Sequence, residues 1–292
     1  MTRFAVSIAL LSVLLVACSV SAQPAAAPTV PPIIIPVVAT PEATPTPSAA
    51  PTVAVTPTTF VTAPAPGKAA VVPILMYHHL QELPDGASEL LLMWTVAPAD
   101  FDAQMNLVEQ RGFRAITMAQ LVGHLKSGKP LPARPIVISF DDGWAEQYSV
   151  AFQILKKHNL IGTFFVYTRP LDHAQFMSWA QLQEMSAAGM DIQAHTLTHP
   201  HLRALTPDEA MKEITESKTI LETRLGKPIV AFAYPFGEYN ASIIDMLKRA
   251  GFESAVTLAA GFNQRADELF TLHRIRVSYP DTLEDFAKRL PY

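Results

Sequence analysis

Four short segments of this 292-residue chain hold the residue types that can carry acid–base or metal chemistry. Asp141-Asp142-Gly143 sets two carboxylates side by side, and His195 and His199 stand four apart in HTLTH. Tyr77-His78-His79 and Tyr234-Pro235-Phe236-Gly237 are the other two. Histidines at i and i+4 read as two imidazoles on one side of a helical turn, a spacing that grips a single metal ion. A carboxylate from Asp142 would complete a set of two imidazoles and one carboxylate, with positions left for water and substrate. Adjacent acids at a strand end cannot easily point the same way, so one can ligate while the other accepts a proton from water. The single cysteine, Cys18, lies far upstream. Disulfides and thiol nucleophiles are thereby excluded from the rest of the chain, and any metal there falls to His and carboxylate ligands. From Gly67 onward 21 basic residues face 25 acidic ones with no Lys/Arg run, which argues against a nucleic-acid partner.

These segments need a frame, and the pattern around them alternates between strand and helix. Short apolar runs at Val71–Tyr77, Pro135–Phe140, Gly162–Tyr167, Asp191–Ala194, Ile229–Tyr234, Phe252–Val256 and Arg274–Val277 read as strands. Pro98–Gly112, Trp144–His158, Ser178–Ala188, Pro207–Leu225 and Glu238–Ala250 read as helices, several with glycine just past the end. Such alternation predicts an α/β fold on a parallel sheet, open or closed into a barrel. All four loaded segments then fall at C-terminal strand ends, the face on which such folds build their sites. Trp94 falls in a stretch read as loop, and His124, His158 and His173 read as ordinary surface histidines.

The first 66 residues have a different character. Residues 1–18 run from Arg3 into an apolar stretch, the layout of an export signal, and Leu15-Val16-Ala17-Cys18 resembles the bacterial lipobox, with Cys18 as the lipidation site. The alternative is secretion after cleavage behind Ala22. Residues 19–67 form a Pro/Thr/Ala-rich linker, with 12 of the 25 prolines between Gln23 and Pro66 and Glu42 as its only charge, a composition that reads as disordered. As a polyproline II tether it would reach roughly 130 Å at about 3.1 Å per residue. The expected product is a folded domain at 68–292 outside the cytoplasm, tied to a membrane through its lipid or released.

Ser139-Phe140-Asp141-Asp142-Gly143 and His195-Thr196-Leu197-Thr198-His199, about fifty residues apart, resemble the first two motifs of polysaccharide deacetylases, carbohydrate esterase family 4. Phe232–Gly237 is similar to the third motif, and LMYHHL with FAYPFG looks most like the branch that deacetylates poly-N-acetylglucosamine. The resemblance implies a distorted (β/α) barrel with fewer than eight regular units. It implies that Asp142, His195 and His199 hold a divalent metal, usually zinc, with cobalt or nickel as alternatives. Asp141 would be the base that activates the nucleophilic water on that ion, and the Tyr234 backbone N–H would help hold the oxyanion. The arginine that many members carry before the third-motif proline is Ala233 here, so Arg274 or Arg276 is expected to supply that charge. His78 is favoured over His273 as the general acid. Trp144, Trp179 and Pro235 are candidate substrate contacts, with Trp94 a weaker one. The reaction implied is removal of N-acetyl groups from an extracellular or cell-wall polymer of N-acetylglucosamine. An O-acetyl esterase on xylan-type polymers, or a non-catalytic carbohydrate-binding lipoprotein, are the alternatives.

Overall fold

The computed structural model describes residues 69–292. The expected signal peptide, the lipidation site Cys18 and the linker at 19–67 lie outside the described residues. Seven parallel strands form the frame: β1 (Ile74–Tyr77), β2 (Pro135–Asp142), β3 (Thr163–Val166), β4 (Asp191–Ala194), β5 (Ala231–Ala233), β6 (Ser254–Ala260) and β7 (Leu272–Arg276). Each pairs with its neighbours in chain order, and β1 pairs with both β7 and β2, so the sheet closes on itself. The result is a (β/α) barrel of seven strands, as the resemblance implied. Arg114–Ala115 adds a short parallel extension outside β2.

The helices are α1 (Glu89–Trp94), α2 (Pro98–Gln110), α3 (Met118–Ser127), α4 (Gln153–Lys157), α5 (Trp179–Ala187), α6 (Pro207–Leu225), α7 (Ala241–Arg249) and α8 (Leu283–Arg289). A π-helical stretch, Gln147–Phe152, runs directly into α4. Local chemistry sets several starts. Thr117 with Gln120, Ser178 with Gln181, Thr206 with Glu209 and Thr282 with Asp285 form reciprocal capping boxes, each satisfying backbone donors that a helix start otherwise leaves open. The helices α1, α3 and α8 are additional to those the sequence pattern predicts. The first is six residues long with no buried side chain, so it offers no apolar periodicity to read.

Alternation along each strand divides the core into two layers. Leu75 and Tyr77, Ile138 and Phe140, Phe164 and Val166, and Phe232 pack outward against Phe101 and Met105 of α2 and Leu221 of α6. Val137, Phe165, Ala231, Ala233, Val256 and Leu272 fill the interior together with Met118, Leu121 and Leu125 of α3. That second group places α3 across the N-terminal mouth of the barrel. Asp191 fastens it there, accepting the Met118 N–H at 2.9 Å. His124 and His158, expected at the surface, are both buried. The first bonds the Lys129 carbonyl at 2.7 Å; the second bridges Glu109 and Asp102 at 2.9 and 3.0 Å and so ties α4 to α2.

Candidate active site

The site is built by the inward parity of four strand ends. On β2 the interior positions are Val137, Ser139 and Asp141; on β1 the same alternation carries past Ile74 and Met76 to His78. On β4 it leads to His195, and on β7 from Leu272 to Arg274. The four polar side chains therefore converge at the C-terminal mouth. Each strand's pleat, not a loop, decides their direction.

Asp141 is buried and held on both oxygens by the equally buried Arg274. Nη1 lies 2.8 Å from Oδ1, Nη2 lies 2.8 Å from Oδ2, and Nε donates to the Thr257 carbonyl at 2.9 Å. Burial alone raises the Asp141 carboxyl, but the Arg274 charge, His78 and the Arg274 hydrogen bond outweigh it and hold the group below its ordinary value. His78 Nε2 stands 3.8 Å from Asp141 Oδ2, and burial pushes its imidazole below the usual value. Gln147, in the π-helical stretch, is buried beneath both and donates its amide to the His78 carbonyl at 3.0 Å and to the Asp141 carbonyl.

Asp142 leaves the strand parity because its backbone turns left-handed, φ 81°, followed by Gly143 at φ 85°. A Cβ at Gly143 would sit 3.2 Å from Val166, so the turn is tight as well as left-handed. The turn brings Asp142 Oδ1 to 3.5 Å from Nε2 of both His195 and His199. The ligand atoms of Asp142, His195 and His199 lie within 4.8 Å of one another. His195 Nδ1–H donates to the Ala233 carbonyl at 2.7 Å, which fixes the tautomer and leaves Nε2 free to ligate. Trp144 Nε1–H donates to Asp142 Oδ2 at 3.0 Å, leaving Oδ1 buried with no hydrogen-bond partner. An orphaned buried carboxylate oxygen beside two imidazole nitrogens is what a divalent cation would satisfy, and the N,N,O donor set suits zinc. The residues therefore fit a metal. Burial opposes ionisation of Asp142 but its contacts with His195, His78 and His199 outweigh it, so the carboxyl stays ionised. Burial and the neighbouring His195 push His199 down to about 4.

The HTLTH segment is not a helical turn. It is a loop in which Thr196 and His199 adopt φ of 71° and 59°, and Thr196 Oγ1 accepts the His199 N–H at 2.9 Å. Of seven described non-glycine residues with positive φ, four (Asp142, Thr196, His199 and Phe236) gather here. Each such conformation costs about 1–3 kcal/mol, so packing and hydrogen bonds around the mouth must hold them.

The mouth encloses a cavity of about 470 Å³. Its walls include His78, Asp141, Asp142, His195 and His199, with Trp94, Trp144, Phe236 and Leu258 as apolar faces. Trp94, expected in a loop, ends α1 and packs on His78 at 4.4 Å between centroids. Phe236 was not singled out in the sequence. Its ring is half exposed and stacks on His201 at 3.9 Å, while Pro235 beside it is buried. Its place after a strand-ending proline was the available signal. Tyr234 borders the cavity but sends its hydroxyl to the Phe270 carbonyl at 3.0 Å, and its backbone N–H reaches the Val256 carbonyl at 3.4 Å.

Two expected site residues, Trp179 and Arg276, and the disfavoured acid His273 stand elsewhere. Trp179 opens α5 and lines a separate groove, with the Arg224 guanidinium 5.3 Å from its ring. Arg276 does not reach Asp141; its guanidinium lies 5.2 Å from the Trp94 ring, so Arg274 is the arginine that meets the acid. His273, next to Arg274 on β7, has the opposite parity and packs on Gly261, outside the cavity wall.

Residues 128–255 match the family model described as polysaccharide deacetylase. The chain is 29% identical to YxkH of Bacillus subtilis over 72% of this chain and 73% of that protein. It is 27% identical to the poly-beta-1,6-N-acetyl-D-glucosamine N-deacetylase of Staphylococcus epidermidis over 67% and 72%. Among solved structures, the deacetylase PplD of Streptococcus pyogenes, in complex with acetate, superposes with a TM-score of 0.72 at 29% identity, covering 78% of this chain and all of that one.

Proposed function

From the premise that this chain carries a polysaccharide deacetylase domain and is a deacetylase of the hydrolase class, we propose that it removes N-acetyl groups from a polymer of N-acetylglucosamine outside the cytoplasm. The observation that carries the reading is the Asp142–His195–His199 cluster standing beside the Arg274-held Asp141 and His78 in one cavity. The likeness to the Staphylococcus epidermidis enzyme supports the choice of polymer.

Asp142, His195 and His199 would hold a divalent ion, zinc by donor set, which when bound supplies Lewis acidity to water and to the acetyl carbonyl. Asp141 is ionised and oriented by Arg274, so it can accept the proton of the attacking water. Burial keeps His78 neutral at rest. It can therefore receive the proton that Asp141 takes from water and pass it to the departing amide nitrogen as the C–N bond breaks, leaving acetate and a free amine. Asp141 Oδ2 stands 3.8 Å from His78 Nε2. Trp94, Phe236 and Leu258 present apolar faces that suit a pyranose and an acetyl methyl. The Tyr234 N–H could serve an oxyanion only by giving up its long bond to Val256. Export fits the polymer's location; among the described residues no helix is long and apolar enough to cross a membrane. Anchoring through a lipidated Cys18 is part of the proposal, and Cys18→Ala should then move the protein from the membrane fraction to the soluble one.

The test is acetyl release from N-acetylglucosamine oligomers by zinc-loaded protein, followed by mass spectrometry. Asp141→Asn should abolish turnover with metal retained, and His195→Ala should lose both. Wild-type turnover by Asp141→Asn would refute the base assignment. Activity on O-acetylated xylan alone would replace the amide by an ester.

A further inference from the structure

The loop that carries His199 is held from outside the barrel by one carboxylate that no motif includes. Glu213, in the second turn of α6, accepts the Leu197 N–H at 3.0 Å and the Thr198 N–H at 2.8 Å on Oε2. Its Oε1 accepts the Thr198 hydroxyl at 2.7 Å. Among the described residues Glu213 makes no ion pair, so all of its hydrogen bonds go to this loop. The two amides it gathers lie between Thr196 and His199, the residues whose backbones turn left-handed. From the other side, the loop is tied to the chain after β3 by the Thr168 and Arg169 N–H groups, which donate to the Thr196 and Leu197 carbonyls. The loop's amides thus point to α6 and its carbonyls to the β3 side.

We propose that Glu213 is a positioning residue of the metal centre. By binding both central amides of the loop it keeps Thr196 and His199 in their left-handed conformations, and so presents His199 Nε2 to the ion at the same point as His195 Nε2 and Asp142 Oδ1. His195 does not need this support, because it extends β4 and is fixed by the Ala233 carbonyl. His199 has no ring hydrogen bond of that kind among the described contacts; its ring lies beside Tyr167, His195 and Phe236, with Asp142 Oδ1 3.5 Å from Nε2. Its backbone therefore carries the orientation, and Glu213 holds that backbone. The inference rests on the reading of Asp142, His195 and His199 as metal ligands.

The experiment measures zinc affinity of the full chain by competition with a chromophoric chelator, together with the visible spectrum of the cobalt-substituted protein. Removing a group that orients a ligand weakens metal binding by about 10–100-fold, and Glu213→Ala is expected in that range with an altered cobalt spectrum. Glu213→Gln should restore most of the affinity, since an amide oxygen can accept both N–H groups and the amide nitrogen can donate to Thr198 Oγ1. Thr198→Val, which removes only the hydroxyl bond, should fall between. Unchanged affinity and cobalt spectrum in Glu213→Ala would overturn the proposal even if the melting temperature fell. Should Glu213→Ala not fold, wild-type affinity in Thr198→Val would overturn it. A wild-type protein that binds no metal would instead remove the ligand assignment, and this inference with it, an outcome distinct from an unaffected variant of a metal-binding parent.

Discussion

At the scale of single residues the site rests on two buried charges held in place by neighbours of different kinds. Asp141 and Arg274 neutralise one another through a two-pronged contact, both almost fully enclosed. Removing one partner of such a pair leaves an uncompensated buried charge and costs about 3–5 kcal/mol. Arg274→Met is therefore expected to lower unfolding stability by that order in urea titrations and to abolish turnover. Arg274→Lys keeps the charge but not the fork, so it should retain more stability than activity. Asp142 is held differently, by the Trp144 indole N–H on one oxygen. Trp144→Phe preserves the packing on Phe176 and loses only that donor, so zinc affinity should fall by about tenfold in a chelator competition. Unchanged affinity would make Trp144 a wall of the cavity and nothing more.

Secondary-structure elements decide how firmly these residues are presented. The π-helical stretch Gln147–Phe152 turns Gln147 under the C-terminal ends of β1 and β2, where one amide serves the carbonyls of His78 and Asp141. Such stretches are rare and often mark functional sites. Gln147→Leu leaves both carbonyls short of a donor and should cost about 1–3 kcal/mol in denaturant titrations, with a loss of rate as His78 and Asp141 shift. Farther from the site, α2 and α4 are joined by Asp102, which pairs with Lys157 and His158. The Lys157 hydrogen bond, then that of His158, depresses the Asp102 carboxyl. A depressed acid contributes stability that is present above its unfolded value of about 3.9 and is lost as pH falls through the lower folded value. Asp102→Asn should flatten that part of the acid limb of a stability–pH curve, and an unchanged limb would assign it to other carboxylates.

For the molecule as a whole, closure of the barrel is the controlling fact. The family match covers residues 128–255, yet β1 lies before that segment and β7 after it, and these strands close the sheet and supply His78 and Arg274. A protein restricted to residues 128–255 would expose the free edge of β2, would cut β6 after its second residue and should aggregate. One spanning 69–292 should unfold in a single cooperative transition followed by circular dichroism. A stable, soluble fragment 128–255 would show that closure is dispensable. The proposed metal ligands Asp142, His195 and His199 all lie inside the matched segment, so such a fragment would also separate metal binding from catalysis.

Much of this was legible in the residues themselves. Short runs of four to seven residues marked all seven barrel strands, the glycine after Leu225 marked the end of α6, and loaded motifs at strand ends announced the face that carries the candidate site. Tertiary structure alone chose between Arg274 and Arg276 and put His78 rather than His273 in the cavity. Arg274 and Arg276 share one face of β7, so alternation cannot separate them; position along the strand does, because Arg274 meets Asp141 while Arg276, two residues on, meets Trp94. It also replaced the helical turn of HTLTH by a strained loop, because backbone held by Glu213 and by the Thr168–Arg169 amides overrides what spacing prefers. Spacing is a property of the chain, whereas the partners that hold a loop in an unfavourable conformation come from α6 and from the segment after β3, and only folding brings them together.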